Sequence, residues 1–306
     1  MGTYKKIRGI IPPMVTPLLS NNELDIDGTE RLIEHILAGG VNGIFILGTT
    51  VEAQSLSSKV KYEFVELVCD RVKGRVPVLV GITDTSFDES VRLSEFAAEK
   101  GAAGVVAAPP FYFPVSQIEL IDYYNALASA VPLPLYLYNM PTHVKSFLEI
   151  KTVLALSCHP NIVGLKDSSA NMTYFRSLVY NLKNKPDFAL YVGPEELTGE
   201  CVLIGADGGI NGGANLFPEL YVSVFKAADA ADVNKVRELQ DRIMEVSTLL
   251  YTIGKYGSSY LKGVKCALSV LGICSGYLAW PFREFEPSER VLVRKALMRL
   301  GCTDIN

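Results

Sequence analysis

One cation ends an otherwise apolar run. Ile162-Val163-Gly164-Leu165-Lys166-Asp167 reads as a strand buried on both faces, and Lys166 stands at its exit. Apolar walls around an amine disfavour the ammonium form. They free the neutral amine, the nucleophile that attacks a carbonyl carbon to form a Schiff base. Taken alone, such a lysine reads first as a solvated cation carried on an apolar stem. The residues at neighbouring positions of the fold decide between the two.

Several other short segments carry groups with chemistry. Gly48-Thr49-Thr50 offers two hydroxyls and turn N–H groups, a set that suits a carboxylate, or that merely caps the helix after Ser57. Tyr138 ends an apolar run and could relay protons through its phenol, or could be an amphipathic core tyrosine. Asn139-Met140-Pro141 reads as a turn. Asp167 could pair with a lysine or cap the next helix, and Glu195 and Glu196 could meet polyol hydroxyls or favour a helix N-terminus. The glycines of 208–213 could cradle a phosphate, but the P-loop lysine is missing and tight turns explain them better. The histidines at 35, 143 and 159 have no metal-ligand spacing, so no metal is expected.

Alternation of short β-branched runs with helical patterns must position these groups. The runs predict strands at 9–16, 41–48, 76–82, 104–108, 134–138, 162–166, 189–192 and 208–211. Helices are expected at 27–37, 60–72, 89–100, 116–130, 147–156, 171–182, 195–204 and 218–227. Eight strand–helix pairs make a (β/α)8 TIM barrel, an α/β fold whose sites gather at the C-terminal strand ends. After residue 230 no strand pattern remains. Three helices, 232–253, 258–271 and 286–300, form a C-terminal extension (231–306) expected to pack on the barrel (1–230), since no linker separates them.

Composition narrows the rest. The 306 residues are 49% hydrophobic with a net charge of −4, which argues against affinity for nucleic acid or anionic membranes. Residues 1–6 are not followed by an apolar core, so no signal peptide is expected, and no run of 18 apolar residues suggests a membrane span. Six scattered cysteines (69, 158, 201, 266, 274, 302) read as buried thiols of a reducing cytoplasm.

Taken in order, Gly48-Thr49-Thr50 with Glu52, Tyr138-Asn139-x-Pro141 and Gly164-x-Lys166 resemble the Schiff-base lyases that include dihydrodipicolinate synthase and N-acetylneuraminate lyase. The resemblance runs over the whole chain. It implies an imine between Lys166 and a 2-oxo acid, usually pyruvate, with no cofactor. It implies Tyr138 as the proton shuttle, Thr49 and Thr50 on the carboxylate with Thr50 relaying to Tyr138, and Tyr112 lent to a neighbouring subunit of a homotetramer of two tight dimers. It places Gly193, Glu195, Glu196 and Ser168, with Ile210 of strand eight, along the substrate tail. Val51 departs from the family's glycine, which implies strain if that position needs positive φ. His143 stands where synthases carry an arginine, and Gly212 where the lyases carry a small hydroxyl residue. The expected activity is cleavage or condensation of a hydroxylated 3-deoxy sugar acid. The alternatives are a 2-keto-3-deoxy acid dehydratase, dihydrodipicolinate synthase, or a barrel that binds ligand without turnover.

Overall fold

The structure is a computed structural model that describes residues 6–254 and 256–303. The expectations for the leading residues 1–5 and for the last three positions of the extension lie outside the described residues.

In chain order the strands among the described residues are β1 (Gly9–Ile10), β2 (Leu18–Ser20), β3 (Glu23–Leu24), β4 (Ile44–Ile46), β5 (Val78–Gly81), β6 (Gly104–Ala107), β7 (Leu135–Asn139), β8 (Ile162–Asp167), β9 (Ala189–Val192) and β10 (Gly208–Gly209). β2 and β3 form a small antiparallel hairpin. The others make one parallel sheet in the order β1-β10-β9-β8-β7-β6-β5-β4. The sheet curls until its edges meet. Phe45 N donates to Pro12 O and Met14 N to Phe45 O, both at 2.9 Å, and Pro13 bridges Phe45 in parallel. The fold is therefore the expected (β/α)8 barrel. Two strands are shorter than their runs: β1 covers two residues of 9–16 and β10 two of 208–211. Pro12 and Pro13 lack the N–H a longer β1 would need.

Helices α1 (Ile26–Ala38), α2 (Ser58–Val72), α3 (Phe87–Glu99), α4 (Gln117–Ala130), α5 (Pro141–Val144), α6 (Ile150–Leu156), α7 (Met172–Leu182), α8 (Thr198–Leu203) and α9 (Pro218–Asp229) follow the strands. Their starts carry the expected signals. The Ser57 side chain accepts from Val60 N, and Ser116 with Glu119 forms a reciprocal capping box. The one-turn helix α5 stands where a plain turn was expected. α8 is preceded by a 3₁₀ turn, Glu195–Leu197, where one helix over 195–204 was expected. α10 (Val233–Val246), a π-helical turn (Ser247–Tyr251), α11 (Ser259–Val270) and α12 (Pro287–Arg299) follow. α10 lies against α8 and α9, and Gln240 of α10 reaches Gly199 N at 3.0 Å.

The barrel has two apolar layers. Ile11, Phe45, Leu79, Val106, Tyr136, Ala189, Tyr191 and Ile210 fill its interior, and a larger core lies between sheet and helices. On β8 the register against β7 shifts after the Leu135–Ile162 pair, so that Tyr136 faces Gly164. Val163 is the extra residue. This bulge resets the alternation, because a one-residue shift moves every later side chain to the other face. Val163 and Gly164 both face inward, Leu165 outward and Lys166 inward. Gly164 has no room for a side chain, since a Cβ there would stand 2.8 Å from both Tyr136 Cδ1 and Ala189 O.

Candidate active site

Lys166 and Tyr138 are register partners at the C-terminal ends of β8 and β7. Both are 4% exposed, and Lys166 Nζ lies 4.4 Å from the Tyr138 ring centroid and 5.2 Å from that of Phe45. The amine is therefore held against aromatic faces inside the barrel mouth. Their outward-facing neighbours pair separately. Asn139 Nδ2 donates to Asp167 Oδ1 at 2.8 Å, Leu148 N donates to Asn139 Oδ1, and the Ser169 N–H and hydroxyl both donate to Asp167. Burial raises the Asp167 pKa, against the lowering effect of these hydrogen bonds. Asp167 thus anchors the loop that leads to α7 and is spent on Asn139 and Ser169.

The opposite wall comes from the turn after β4. Thr49–Val51 and Ala53–Ser55 form two 3₁₀ turns joined at Glu52, whose φ is 58°. In a 3₁₀ turn successive side chains diverge by about 120°, so the two threonines point to different partners. Thr49 Oγ1 lies 3.1 Å from Tyr138 Oη. Thr50 lies instead near Tyr260 of α11: a Cβ at Gly212 would overlap the Tyr260 phenol oxygen and stand 3.5 Å from Thr50 Cγ2. This corrects the expected Thr50–Tyr138 relay: the contact belongs to Thr49. The strain expected at Val51 is also misplaced. Val51 is buried with its carbonyl accepting from Thr16 Oγ1, and the left-handed residue is Glu52. A non-glycine residue in that conformation needs surrounding structure to hold it. Here Glu52 Oε1 accepts from Lys265 Nζ at 2.6 Å and Oε2 from Ala279 N at 2.7 Å, while Lys265 Nζ also donates to Tyr277 O. The pair is fully buried. Desolvation lowers the Lys265 pKa and Glu52 raises it in opposition.

The remaining expected residues divide. A Cβ on Gly193 would overlap the Ser168 hydroxyl, so these two are in contact at the ends of β9 and β8. Ile210 sits in the barrel-interior cluster just past β10. Glu196 accepts from Ser247 Oγ at 2.6 Å. Glu195 reaches the same rim but turns inward. Oε1 accepts from Tyr221 Oη at 2.6 Å and Tyr251 Oη at 2.7 Å, and Oε2 from Gly213 N at 2.8 Å. Burial pushes its pKa up to about 7 despite these donors. Its carboxylate is occupied, which corrects the expectation that it meets substrate hydroxyls. His143 is exposed on α5, 3.0 Å from Thr142 Oγ1, and desolvation holds its pKa below the usual 6.5. Tyr112 is 84% exposed with φ 91°, edge-on to the exposed Phe113, and is not brought to the Lys166–Tyr138 cluster within this chain.

The extension's contribution, Tyr251, Tyr260 and Lys265, went unread in the sequence. For Lys265 a signal existed. It is a lone cation in Gly263-Val264-Lys265-Cys266-Ala267-Leu268, the pattern that singled out Lys166.

A barrel with a buried lysine at one strand end, a tyrosine beside it and a threonine turn opposite is the arrangement of a Schiff-base lyase. The chain matches the Dihydrodipicolinate synthetase family over residues 6–300 and belongs to that family. Among solved structures it is similar to a dihydrodipicolinate synthase of Bacteroides thetaiotaomicron. The two are 55% identical with a TM-score of 0.94, over 96% of this chain and all of the other (100%). It also resembles YagE, a prophage protein of Escherichia coli K12 solved with pyruvate, at 29% identity and TM-score 0.90 over 96% and 98% of the chains. A probable 2-dehydro-3-deoxy-D-pentonate aldolase of Escherichia coli is 33% identical over 80% of this chain and 82% of its own length. The protein is accordingly an enzyme of the lyase class. No helix among the described residues is long and apolar enough to cross a membrane.

Proposed function

We propose that the enzyme is a cytoplasmic, cofactor-free aldolase acting on a hydroxylated 3-deoxy-2-oxo acid through an imine on Lys166. The observation that carries this reading is the Lys166 amine held 4.4 Å from the Tyr138 ring, with the Tyr138 phenol bonded to Thr49. The amine attacks the 2-oxo carbon and water leaves. Tyr138 gives its phenol proton to the departing carbinolamine hydroxyl, and the iminium then draws the electron pair of the C3–C4 bond as the Tyr138 oxygen takes a proton back from the C4 hydroxyl. The aldehyde departs, the enamine is protonated at C3, and hydrolysis returns pyruvate and the free amine. Thr49 and Thr50, with the N–H groups of their turn, hold the substrate carboxylate. Ser168, Gly193, Glu196, Ile210 and His143 line the path of the tail.

His143 favours an uncharged tail. A second carboxylate at the rim needs a fixed cation, and a histidine with a lowered pKa is neutral near pH 7. The synthase reading stands second, favoured by the 55% identity to a protein described as a dihydrodipicolinate synthase. A dehydratase would use the same imine to expel water. The exposed Tyr112–Phe113 pair, an apolar surface costly to leave in water, supports a homotetramer in which Tyr112 reaches a neighbour's site. The helices beyond residue 230 act as part of the same catalytic body as the barrel.

Borohydride reduction with pyruvate should add a lactyl-sized mass to the peptide carrying Lys166 and to no other. Lys166→Ala should abolish adduct and turnover together. Labelling at a different lysine refutes the assignment. Release of pyruvate from a panel of sugar acids, set against condensation with aspartate semialdehyde, separates aldolase from synthase.

A further inference from the structure

The 3₁₀ turn that carries Thr49 is weakly held by its own bonds and firmly held from outside. Within it Glu52 N donates to Thr49 O at 3.2 Å and Val51 N to Gly48 O at 3.3 Å, at or beyond the long end of a backbone hydrogen bond. Its outer ties are shorter. Lys265 Nζ of α11 and Ala279 N donate to the two Glu52 carboxylate oxygens at 2.6 and 2.7 Å, and Thr16 Oγ1 donates to Val51 O at 2.9 Å. Lys265 is itself anchored, since its amine also donates to Tyr277 O at 2.6 Å. Neither the Lys265 nor the Glu52 side chain reaches water. Thr49 stands three residues before Glu52, and in a 3₁₀ turn residues i and i+3 lie one above the other. Fixing Glu52 therefore fixes Thr49, whose hydroxyl meets the Tyr138 phenol at 3.1 Å.

We infer that Lys265 is a positioning residue for the reaction: through Glu52 it holds the turn that sets the Thr49 hydroxyl against the Tyr138 phenol. Stability alone is a poor reason for such a pair. Two buried charges are costly to desolvate, and an apolar pair of similar volume often stabilises a fold as well or better. What the charges add is direction. A carboxylate accepts at two defined oxygens, and an ammonium divides three donors among its partners. Here the carboxylate is gripped at both oxygens, and Glu52 keeps its left-handed backbone at φ 58°, which a non-glycine residue holds only under constraint. At the other end of the turn, a phenol that gives a proton and takes one back needs a fixed orientation. The Thr49 hydroxyl can accept from that phenol or donate to it, so it serves both of its protonation states. Lys265 is bonded to Glu52 and Tyr277 and acts through the turn. This rests on the imine reading of Lys166 and on Tyr138 as the proton shuttle.

Timed mixing of the full-length enzyme with saturating pyruvate, followed by a borohydride quench, reads the rate of imine formation, the step in which Tyr138 gives its proton to the carbinolamine hydroxyl. In Lys265→Met that rate should fall about tenfold, the effect of losing roughly one hydrogen bond, while labelling still reaches the wild-type extent. A merely structural loss does the opposite: it lowers the extent with the unfolded fraction and spares the rate. Thr49→Val should give the same fall. Lys265→Met combined with Thr49→Val should be no slower than Thr49→Val alone, because both break one chain of contacts. Glu52→Gln combined with Lys265→Met carries no unpaired buried charge. It should regain stability and stay slow, which keeps the test open where the single variant unfolds. A wild-type rate in that double variant would overturn the inference, leaving the pair as packing. So would losses at Lys265 and Thr49 that multiply. Absence of trapping in the wild type removes the imine reading, and an unslowed Tyr138→Phe removes the shuttle; either takes the inference with it.

Discussion

The two walls of the pocket are built by opposite means. On one side Lys166 and Tyr138 stand on adjacent strands, locked by ladder hydrogen bonds and by the Asn139–Asp167 contact between residues 28 apart in sequence. On the other, Thr49 and Thr50 stand on irregular backbone with a left-handed Glu52. That turn depends on contacts to residues 213 and 227 positions away, Lys265 and Ala279. Regular backbone holds Lys166 and Tyr138 without help. The Thr49–Glu52 turn has no ladder to fix it, so buried charge and the extension fix it instead.

This contrast can be broken from either side. The largest effect is expected on the strand wall. Tyr138→Phe should lower kcat by about 10²–10⁴-fold, the range for losing a general acid–base group, with imine formation on Lys166 still detectable by trapping. Unchanged kcat would reduce Tyr138 to packing. On the turn wall the expected loss is of stability first. Lys265→Met leaves the Glu52 carboxylate buried and unpaired, which should cost about 3–5 kcal/mol in urea unfolding. Pairing it with Glu52→Gln should recover part of that loss, and independent, additive losses would show that the two do not act as a pair.

The smallest effect concerns Glu195, behind the same wall. Its folded pKa of about 7 lies above the ordinary 4.5, so the native state binds the proton more tightly than the unfolded chain. Stability from this group is fully present below about pH 4.5 and is lost as pH rises through 7. At about 1.4 kcal/mol per pKa unit the upper bound is roughly 3 kcal/mol. Glu195→Gln should flatten that slope, seen as a wild-type-minus-variant stability difference that falls between pH 5 and pH 8. A constant difference would contradict the raised pKa.

What could be read in the sequence follows the same division. The β7 and β8 runs are continuous and apolar, so the strands, Tyr138 and Lys166 were visible. The bulge at Val163 was not, because nothing in Ile162-Val163-Gly164 distinguishes a reset of alternation from none. The β2–β3 hairpin was overlooked although Asn21-Asn22 between two short runs is a tight-turn signal. Which threonine meets Tyr138 depends on the direction of a 3₁₀ turn, and no spacing rule supplies that. Tyr260 is invisible for another reason: its neighbours, Thr50 and Gly212, are brought to it only by closure of the barrel and docking of α11. Glu195 was placed at the right rim, but the two tyrosines that claim its carboxylate come from α9 and from the π-helical turn.

The strap from Glu52 to Lys265 also sets an order in time. A ribosome releases the barrel strands first, and domains generally fold as units as they emerge. Thr49, Thr50, Tyr138 and Lys166 are all synthesised before residue 230, yet the residue that neutralises Glu52 comes 213 positions after it. A nascent barrel therefore carries Lys166 and Tyr138 before the Thr49–Glu52 turn has its buried partner. That turn gains its last fixed contacts only when Lys265 and Ala279 have been made.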